Sequence, residues 1–468
     1  MRLCALCALL LFSAACDTDG QDTPGATAEV WLTSGDQRFL LAQQDDILIT
    51  DDPPTTDVRV TVDPSETDQP MEGFGAAMTN SAAWLIDRHP QREDILRRLF
   101  SVEDGIGLSY VRVPMGASDF AAEPSRGYTY HDLPAGEADP SLATFSIDVD
   151  RPFVIPALLD AQRLRPELKL MATPWSAPAW MKSPETLNGG SLRSDAYPAF
   201  AEYFARFLEA YREAGLEIDA LTVQNEPQHA SDDYPTMRMT ARSQATFIKD
   251  HLGPLLQARG LPPQILAWDH NWDEPEYPLA VLNDPEANAF VAGTAWHCYA
   301  GTSDAQARVR RAHPDKGIYF TECSGGAWDP NFESAMIWNL RNVFIGAVRN
   351  GARTVLLWNL ALDENNGPFI GGCTNCRGVT TLTDTDVSYE VEYYVLGHLS
   401  KFVQPGAVRI ASTHRPGQLE TVAFLNPDRS RVLVALNVDQ VPVLFSVVEG
   451  DQTMNVRLPA RTVATVMW

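Results

Sequence analysis

The sequence predicts an α/β fold, a (β/α)8 TIM barrel carrying an all-β sandwich domain built from both chain ends. Three observations carry this reading. Between Gly73 and Asn359 eight short apolar runs alternate with amphipathic helical stretches, the pattern of parallel strands joined by crossover helices. The flanking segments are instead rich in short β-type runs separated by Gly, Asp and Pro clusters. The 468 residues exceed one small domain and suffice for a large domain plus an accessory one. A doubly wound open sheet is the second reading of the same alternation.

The opening stretch, MRLCALCALLLFSAAC, has Arg2, an apolar run from Leu3 to Phe12, and the small residues Ser13, Ala14 and Ala15. It reads as a signal peptide over residues 1–16, being far shorter than the roughly 20 residues a membrane span needs. Cys16 after those small residues resembles a bacterial lipoprotein cleavage site, with Ser13 where that pattern prefers Leu. The expectation is an exported chain, secreted, periplasmic or lipid-anchored through Cys16. Residues 17–28 are polar with Gly and Pro and read as a flexible tether. Residues 29–70 hold the runs EVWLTS, RFLLAQ and DVRVTV, the N-terminal strands of the sandwich. The barrel is expected over 71–387. Residues 388–468 supply the remaining sandwich strands, with NPDRS as a hairpin turn.

Net charge is −25 and the pI near 4.7, so nucleic acid is not an expected partner. No protein partner is expected. CTNC, holding Cys373 and Cys376, reads as a short-range disulfide of an exported protein, and half a metal knuckle is the lesser reading because no second pair repeats its spacing. No metal or cofactor is expected.

The eight barrel strands are read at GFGAAM (Gly73), LSYVRVP (Leu108), LKLMATP (Leu168), ALTVQNE (Ala220), QILAWDH (Gln264), GTAWHCY (Gly293), GIYFTE (Gly317) and RTVLLWNL (Arg353). Helical patterns at 197–215 and 243–260 lie between them, the latter ending in Gly260. In such barrels the chemistry gathers at the carboxyl ends of the strands. There the chain places Arg112 and then Asp119, Trp175 and Trp180, Asn225 and Glu226, His297 and Tyr299, Glu322, and Trp358 with Asn359. Two carboxylates, aromatic faces and hydrogen-bonding groups around one opening suit cleavage of a glycosidic bond. One carboxylic acid protonates the leaving oxygen, and the second carboxylate attacks or shields the sugar carbon. A single strand-end Glu is more often a salt bridge or a cap; two, on the fourth and seventh strands, weigh against that. Other chemistries lack their marks. No G-x-S-x-G elbow is present, and GFGAAM and GIGLSY lack the third glycine of a dinucleotide loop. WDHNWDEPE, 268–276, is read as the loop after the fifth strand, with metal binding as a minor alternative. Cys323 is expected to face away from Glu322, since successive strand residues point to opposite faces.

GFGAAMTNSAAW, RVPMGASDF, PWSAPAWMK, TVQNEPQ, DYPTM, WHCYAG, FTECSGG and LLWNLAL, in this order, resemble glycoside hydrolase family 30, which includes glucosylceramidases and endo-β-1,6-glucanases. The resemblance runs from Gly73 to Lys401. It implies Glu226 as general acid/base and Glu322 as nucleophile of a retaining, double-displacement mechanism. It implies Asn225 on the sugar 2-hydroxyl, with Arg112 and Tyr299 supporting the nucleophile. Asp119, Trp175 and Trp358 become walls of the glucose subsite, Tyr234 and His297 line the same pocket, and Asn375 is a looser transfer because GGCTNCRG differs from the glucosylceramidase loop. An acid/base needs its proton near neutral pH, so Glu226 is expected with a raised pKa, and the two carboxyl groups about 5–5.5 Å apart. The leading expectation is a glucosylceramidase-type β-glucosidase acting on glucosylceramide-like β-glucosides. An endo-β-1,6-glucanase of the same family is the alternative, and a non-catalytic glycan-binding surface lipoprotein the alternative of another class.

Overall fold

The structure, a computed structural model, describes residues 26–125 and 127–468. The signal peptide, Cys16 and most of the expected tether lie outside the described residues. Among those described, no helix is long and apolar enough to cross a membrane.

Eight parallel strands close into a barrel: Gly73–Ala77, Tyr110–Pro114, Lys169–Thr173, Ala220–Thr222, Gln264–Asn271, Val291–His297, Gly317–Glu322 and Ala352–Leu357. Each coincides with one of the eight apolar runs. Inside the barrel, Tyr110, Met171, Ala220, Leu266, Ala295, Tyr319 and Leu356 form one buried cluster, a plug of side chains supplied by seven strands. The outer faces of the strands pack on the helices in the main core. The helix expected over 197–215 forms at Tyr197–Glu213. The one expected over 243–260 is broken: Ala241–Phe247 passes into a π-helical turn, Ile248–Leu252, and then Gly253–Arg259. Pro254 supplies no amide hydrogen to the ladder, so the turn before it re-registers.

The two chain ends interleave in one sheet system. Thr27–Ser34 pairs antiparallel with Thr462–Met467. Arg59–Pro70 lies between Val408–Ser412, antiparallel, and Val443–Glu449, parallel. The NPDRS turn joins Leu419–Leu425 to Arg431–Asn437. Three expectations shift. The expected tether gives way to strand at Thr27, which faces Leu48. RFLLAQ contributes only the two-residue strand Ala42–Gln43, because Leu41 takes a left-handed backbone, φ 48°. The division expected after residue 387 falls inside the short strand Val387–Tyr389. Helix Val391–Ser400 follows it and packs on both the first barrel strand and Thr27–Ser34. On this helix buried His398 bridges Thr33 and Thr465 of the sandwich, at 2.8 Å each.

Candidate active site

The site is the next layer up from the apolar plug. Side chains two residues apart on a strand share a face, so Tyr110 leads to Arg112, Met171 to Thr173, Ala220 to Thr222, Ala295 to His297, and Tyr319 to Thr321. The fifth strand departs from this count. Leu266 should lead to Trp268, but the register against the sixth strand shifts between Trp268 and His270. The bulge turns Trp268 outward, against Tyr277 in the core, and sends Asp269 inward. On the seventh strand a shift between the Trp296–Phe320 and His297–Glu322 pairs lets Thr321 and Glu322 both reach the interior. Of the ten non-glycine residues with positive φ among those described, Glu226, Trp268, Asp269 and Asn359 lie at the carboxyl ends of the barrel strands. Such backbones cost about 1–3 kcal/mol each and persist where surrounding structure imposes them.

Arg112, fully buried, is the hub. Its guanidinium donates to Glu322, to Asn225 Oδ1 at 2.8 Å and to Asp269 Oδ2 at 2.9 Å. Tyr299 donates to the other oxygen of Glu322 at 2.8 Å. Asp269 also accepts from Thr222 at 2.6 Å and Thr321 at 2.7 Å. His297 lies between Asp269 Oδ1, 2.9 Å from Nε2, and Glu226 Oε1, 3.2 Å from Nδ1. Because Asn225 turns its oxygen to Arg112, its NH2 is left to face the opening. One carboxylate oxygen each from Glu226 and Glu322 and a ring nitrogen of His297 lie within 4.8 Å of one another. The two glutamates, 96 positions apart in sequence by their numbers, therefore face each other across one mouth.

The charges of this network decide where protons sit. Burial disfavours charge on His297, but Glu322, Asp269 and Glu226 outweigh it and raise its pKa to about 9. Burial also opposes charge on Glu226, yet the His297 hydrogen bond and the neighbouring His270 and His229 hold it below the usual carboxylate range. This corrects the expectation of a raised Glu226: in the free protein the shared proton rests on His297. Asp269 is held far below the carboxylate range, Arg112 and His297 overcoming its burial. Asp119 goes the other way, pushed well above that range by burial and by the charges of Glu322 and Glu226. A protonated Asp119 can donate a hydrogen bond.

The walls are aromatic. Trp175 and Trp358 stack with centroids 5.1 Å apart, and the Arg112 guanidinium lies 4.8 Å from the Trp175 ring centre. Phe120, Leu362 and Cys376 join them in one buried cluster, with Tyr234 and Cys373 packed against it. Tyr234 bonds His229 at 2.9 Å. The loop after the eighth strand closes over Asp119. A Cβ on Gly372, φ 71°, would come 2.8 Å from Asp119 Oδ2, so only glycine lets the loop approach. Asn375 is exposed on this loop and meets none of the charged cluster; its carbonyl accepts from Ala327 at 2.9 Å. Trp180 is not a site residue but a core one, donating to the His131 carbonyl at 3.3 Å. Asn359 turns to Thr79 behind the pocket, at 2.7 Å.

Residues 71–403 match the glycosyl hydrolase family 30 TIM-barrel domain, and residues 406–466 match that family's β-sandwich domain. The chain belongs to glycoside hydrolase family 30. Among similar proteins, endo-1,6-β-D-glucanase neg1 of Aspergillus fumigatus is 33% identical over 427 residues, covering 85% of this chain and 84% of the relative. The endo-1,6-β-D-glucanase of Neurospora crassa is 34% identical, covering 89% and 90%. The lysosomal acid glucosylceramidase of Mus musculus is 31% identical, covering 88% and 84%. The solved structure of the endo-β1,6-glucanase BT3312 superposes with a TM-score of 0.87 at 29% identity, covering 95% of this chain and 99% of its own.

In this family 30 hydrolase the structure gathers Glu226, Glu322, Arg112, Asn225, His297 and Tyr299 into one network and sets Trp175, Trp358, Asp119 and Tyr234 around it. Sequence reasoning missed Asp269, His270 and His229. QILAWDH was read as the fifth strand and WDHNWDEPE, 268–276, as the loop after it; the structure keeps 268–271 in the strand. The available signal was an acid and a histidine at a strand end, as on the fourth and sixth strands. It also missed that Cys298 and Cys323 form a disulfide; Cys323 does point away from Glu322, as strand alternation requires. Cys373 and Cys376 are disulfide-bonded as expected.

Proposed function

We propose that this hydrolase is an exported endo-β-1,6-glucanase that cleaves β-glucosidic bonds with retention. The leading expectation from sequence, a glucosylceramidase type, yields to its alternative. Relatives described as endo-1,6-β-glucanases reach 33 and 34% identity over most of the chain, against 31% for the mouse glucosylceramidase, and the β1,6-glucanase structure superposes over nearly the whole chain. Two disulfides support an oxidising, exported setting.

The observation that carries the mechanism is the proximity of the carboxylates, within 4.8 Å by their facing oxygens. That spacing supports double displacement; inversion needs about 6.5–9.5 Å to admit a water. Glu322, its oxygens held by Arg112 and Tyr299, attacks the anomeric carbon as the bond to the leaving oxygen breaks and that oxygen takes a proton from Glu226. The proton reaches Glu226 from His297. A bound sugar strips water from Glu226 and further disfavours its charge. Once Glu322 is esterified, its negative charge is gone, and Glu226 takes a proton from the water that attacks the same carbon and releases Glu322. Trp175 and Trp358 offer faces to the sugar ring, Asn225 its NH2 to the 2-hydroxyl, and Asp119 its carboxyl group to a further hydroxyl.

The test is hydrolysis of linear β-1,6-glucan and of glucosylceramide side by side, with the first product's anomer followed by NMR. Faster turnover of the glucan, with β product first, is expected. Preference for the lipid overturns the substrate assignment, and α product first overturns retention. In the Glu322→Gln variant hydrolysis should collapse; a wild-type rate would remove Glu322 as nucleophile.

A further inference from the structure

Beyond Glu322 the chain forms the two-residue strand Gly325–Gly326, which pairs antiparallel with Cys376–Arg377. This ribbon borders a cavity of about 330 Å³ whose lining includes Tyr299, Trp328 and Trp338. These three are exposed, at 44, 55 and 42%. Large aromatic side chains ordinarily bury most of their area, and a cluster of uncovered ones marks a binding surface. Here two tryptophans and a tyrosine stand around one opening.

The arrangement is built. A Cβ on Gly326 would lie 2.1 Å from the Trp328 ring, so the indole rests directly on the glycine backbone. The Ala327 amide donates to the Asn375 carbonyl at 2.9 Å, tying this loop to the one that closes over Asp119. Trp338 ends helix Phe332–Trp338, which passes straight into the π-helical stretch Asn339–Ala347. Widened turns of this kind often occur at functional sites.

Tyr299 connects the cavity to the chemistry. Its hydroxyl donates to Glu322 at 2.8 Å, while the residue lines the cavity. The opening therefore begins one side chain from the nucleophile. Ser324, Asp329 and Asn339 share the lining. Aromatic faces with hydrogen-bonding groups between them match a pyranose ring, whose C–H face stacks while its hydroxyls find partners. An alkyl chain would cover those polar groups without satisfying them.

We infer that Tyr299, Trp328 and Trp338 form a second sugar subsite, holding the glucosyl residue next to the one whose bond is cleaved. The inference rests on the β-1,6-glucanase reading for the linkage of its ligand. Calorimetric titration of the Glu322→Gln protein, with and without Trp328→Ala, Trp338→Ala or Trp328→Phe, separates the two. The probes are glucose and the β-1,6-linked glucose tetramer. Trp328→Ala or Trp338→Ala should raise the ratio of tetramer Kd to glucose Kd at least tenfold, and Trp328→Phe should restore most of the loss. An unchanged ratio, or no tetramer binding at all, overturns the subsite. So does a loss confined to short-chain glucosylceramide, which would make the cavity a lipid seat. A wild-type enzyme inactive on β-1,6-glucan, whose Glu322→Gln form still binds the tetramer through Trp328, overturns the catalytic reading alone.

Discussion

Replacing Asp269 by Asn removes one charge from the centre of the network and keeps the shape. Four donors converge on this carboxylate: His297 and Thr321 on Oδ1, at 2.9 and 2.7 Å, and Arg112 and Thr222 on Oδ2, at 2.9 and 2.6 Å. Asparagine retains one acceptor oxygen and points an NH2 at the other two donors. Breaking one partner of a buried ion pair costs about 3–5 kcal/mol. Thr222 can turn to Thr173, 2.8 Å away, and recover about 1 kcal/mol. We therefore expect a net destabilisation of about 2–4 kcal/mol. Without Asp269 the pKa of His297 falls from about 9 toward its ordinary value, although Glu322 and Glu226 still raise it, so the proton beside Glu226 is held less firmly and its delivery weakens. Loss of acid catalysis lowers kcat by about 10²–10⁴-fold. Denaturant unfolding followed by tryptophan fluorescence gives the first number, and kcat/KM on β-1,6-glucan oligomers against pH gives the second. A variant with wild-type stability and a superimposable pH profile would refute the hub.

Three further outcomes follow from the same geometry. His297 has a folded pKa near 9, above its unfolded value of about 6.5. Its stabilisation is complete below pH 6.5 and declines by roughly 3 kcal/mol as pH rises to 9. His398, buried and pushed down to about 3, acts oppositely, and its share of stability is lost as pH falls from 6.5 toward 3. Unfolding scans across pH should therefore peak near neutrality, and a monotonic profile would contradict both. The Cys298–Cys323 loop, with a separation of 25, should contribute more stability than Cys373–Cys376, with a separation of 3. Loop entropy gives about 3.5 against 2 kcal/mol, measurable on the paired Cys→Ala variants. Gly372→Ala, forcing a Cβ against Asp119 at φ 71°, should lower stability by about 1–3 kcal/mol of backbone strain and raise KM by displacing Asp119, read from unfolding and from initial rates; unchanged values of both would contradict the close approach.

How much of this was legible depends on parity. The barrel strands read clearly because each is a short apolar run that ends in polar residues, and ALTVQNEP shows why. Ala220 fills the plug and Thr222 the layer above it, as a period-2 count gives, and Asn225 and Glu226 stand at the mouth just past the end of the regular strand. At the eighth strand Trp358, two residues past Leu356, joins the aromatic wall. The sandwich was visible as alternating runs at both ends, although no propensity says that Arg59–Pro70 inserts between Val408–Ser412 and Val443–Glu449.

Asp269 was hidden because a bulge adds one residue and reverses the parity of everything after it. Counted regularly, Trp268 points inward and Asp269 outward, and an outward acid near a loop invites no chemistry. The observed backbone takes φ 78° at Trp268 and 71° at Asp269, a conformation that β-branched and bulky residues avoid and that no local sequence preference would select. The strain is held by what it places: a carboxylate against Arg112, Thr222, Thr321 and His297 at once. The Cys298–Cys323 disulfide follows the same logic from outside. His297 and Glu322 are register partners, so the cysteines one position further on are also neighbours, and they are bonded. A pairing invisible along the chain becomes a consequence of where His297 and Glu322 stand, which makes the register between the sixth and seventh strands the feature that both the buried charge network and the disulfide behind it depend on.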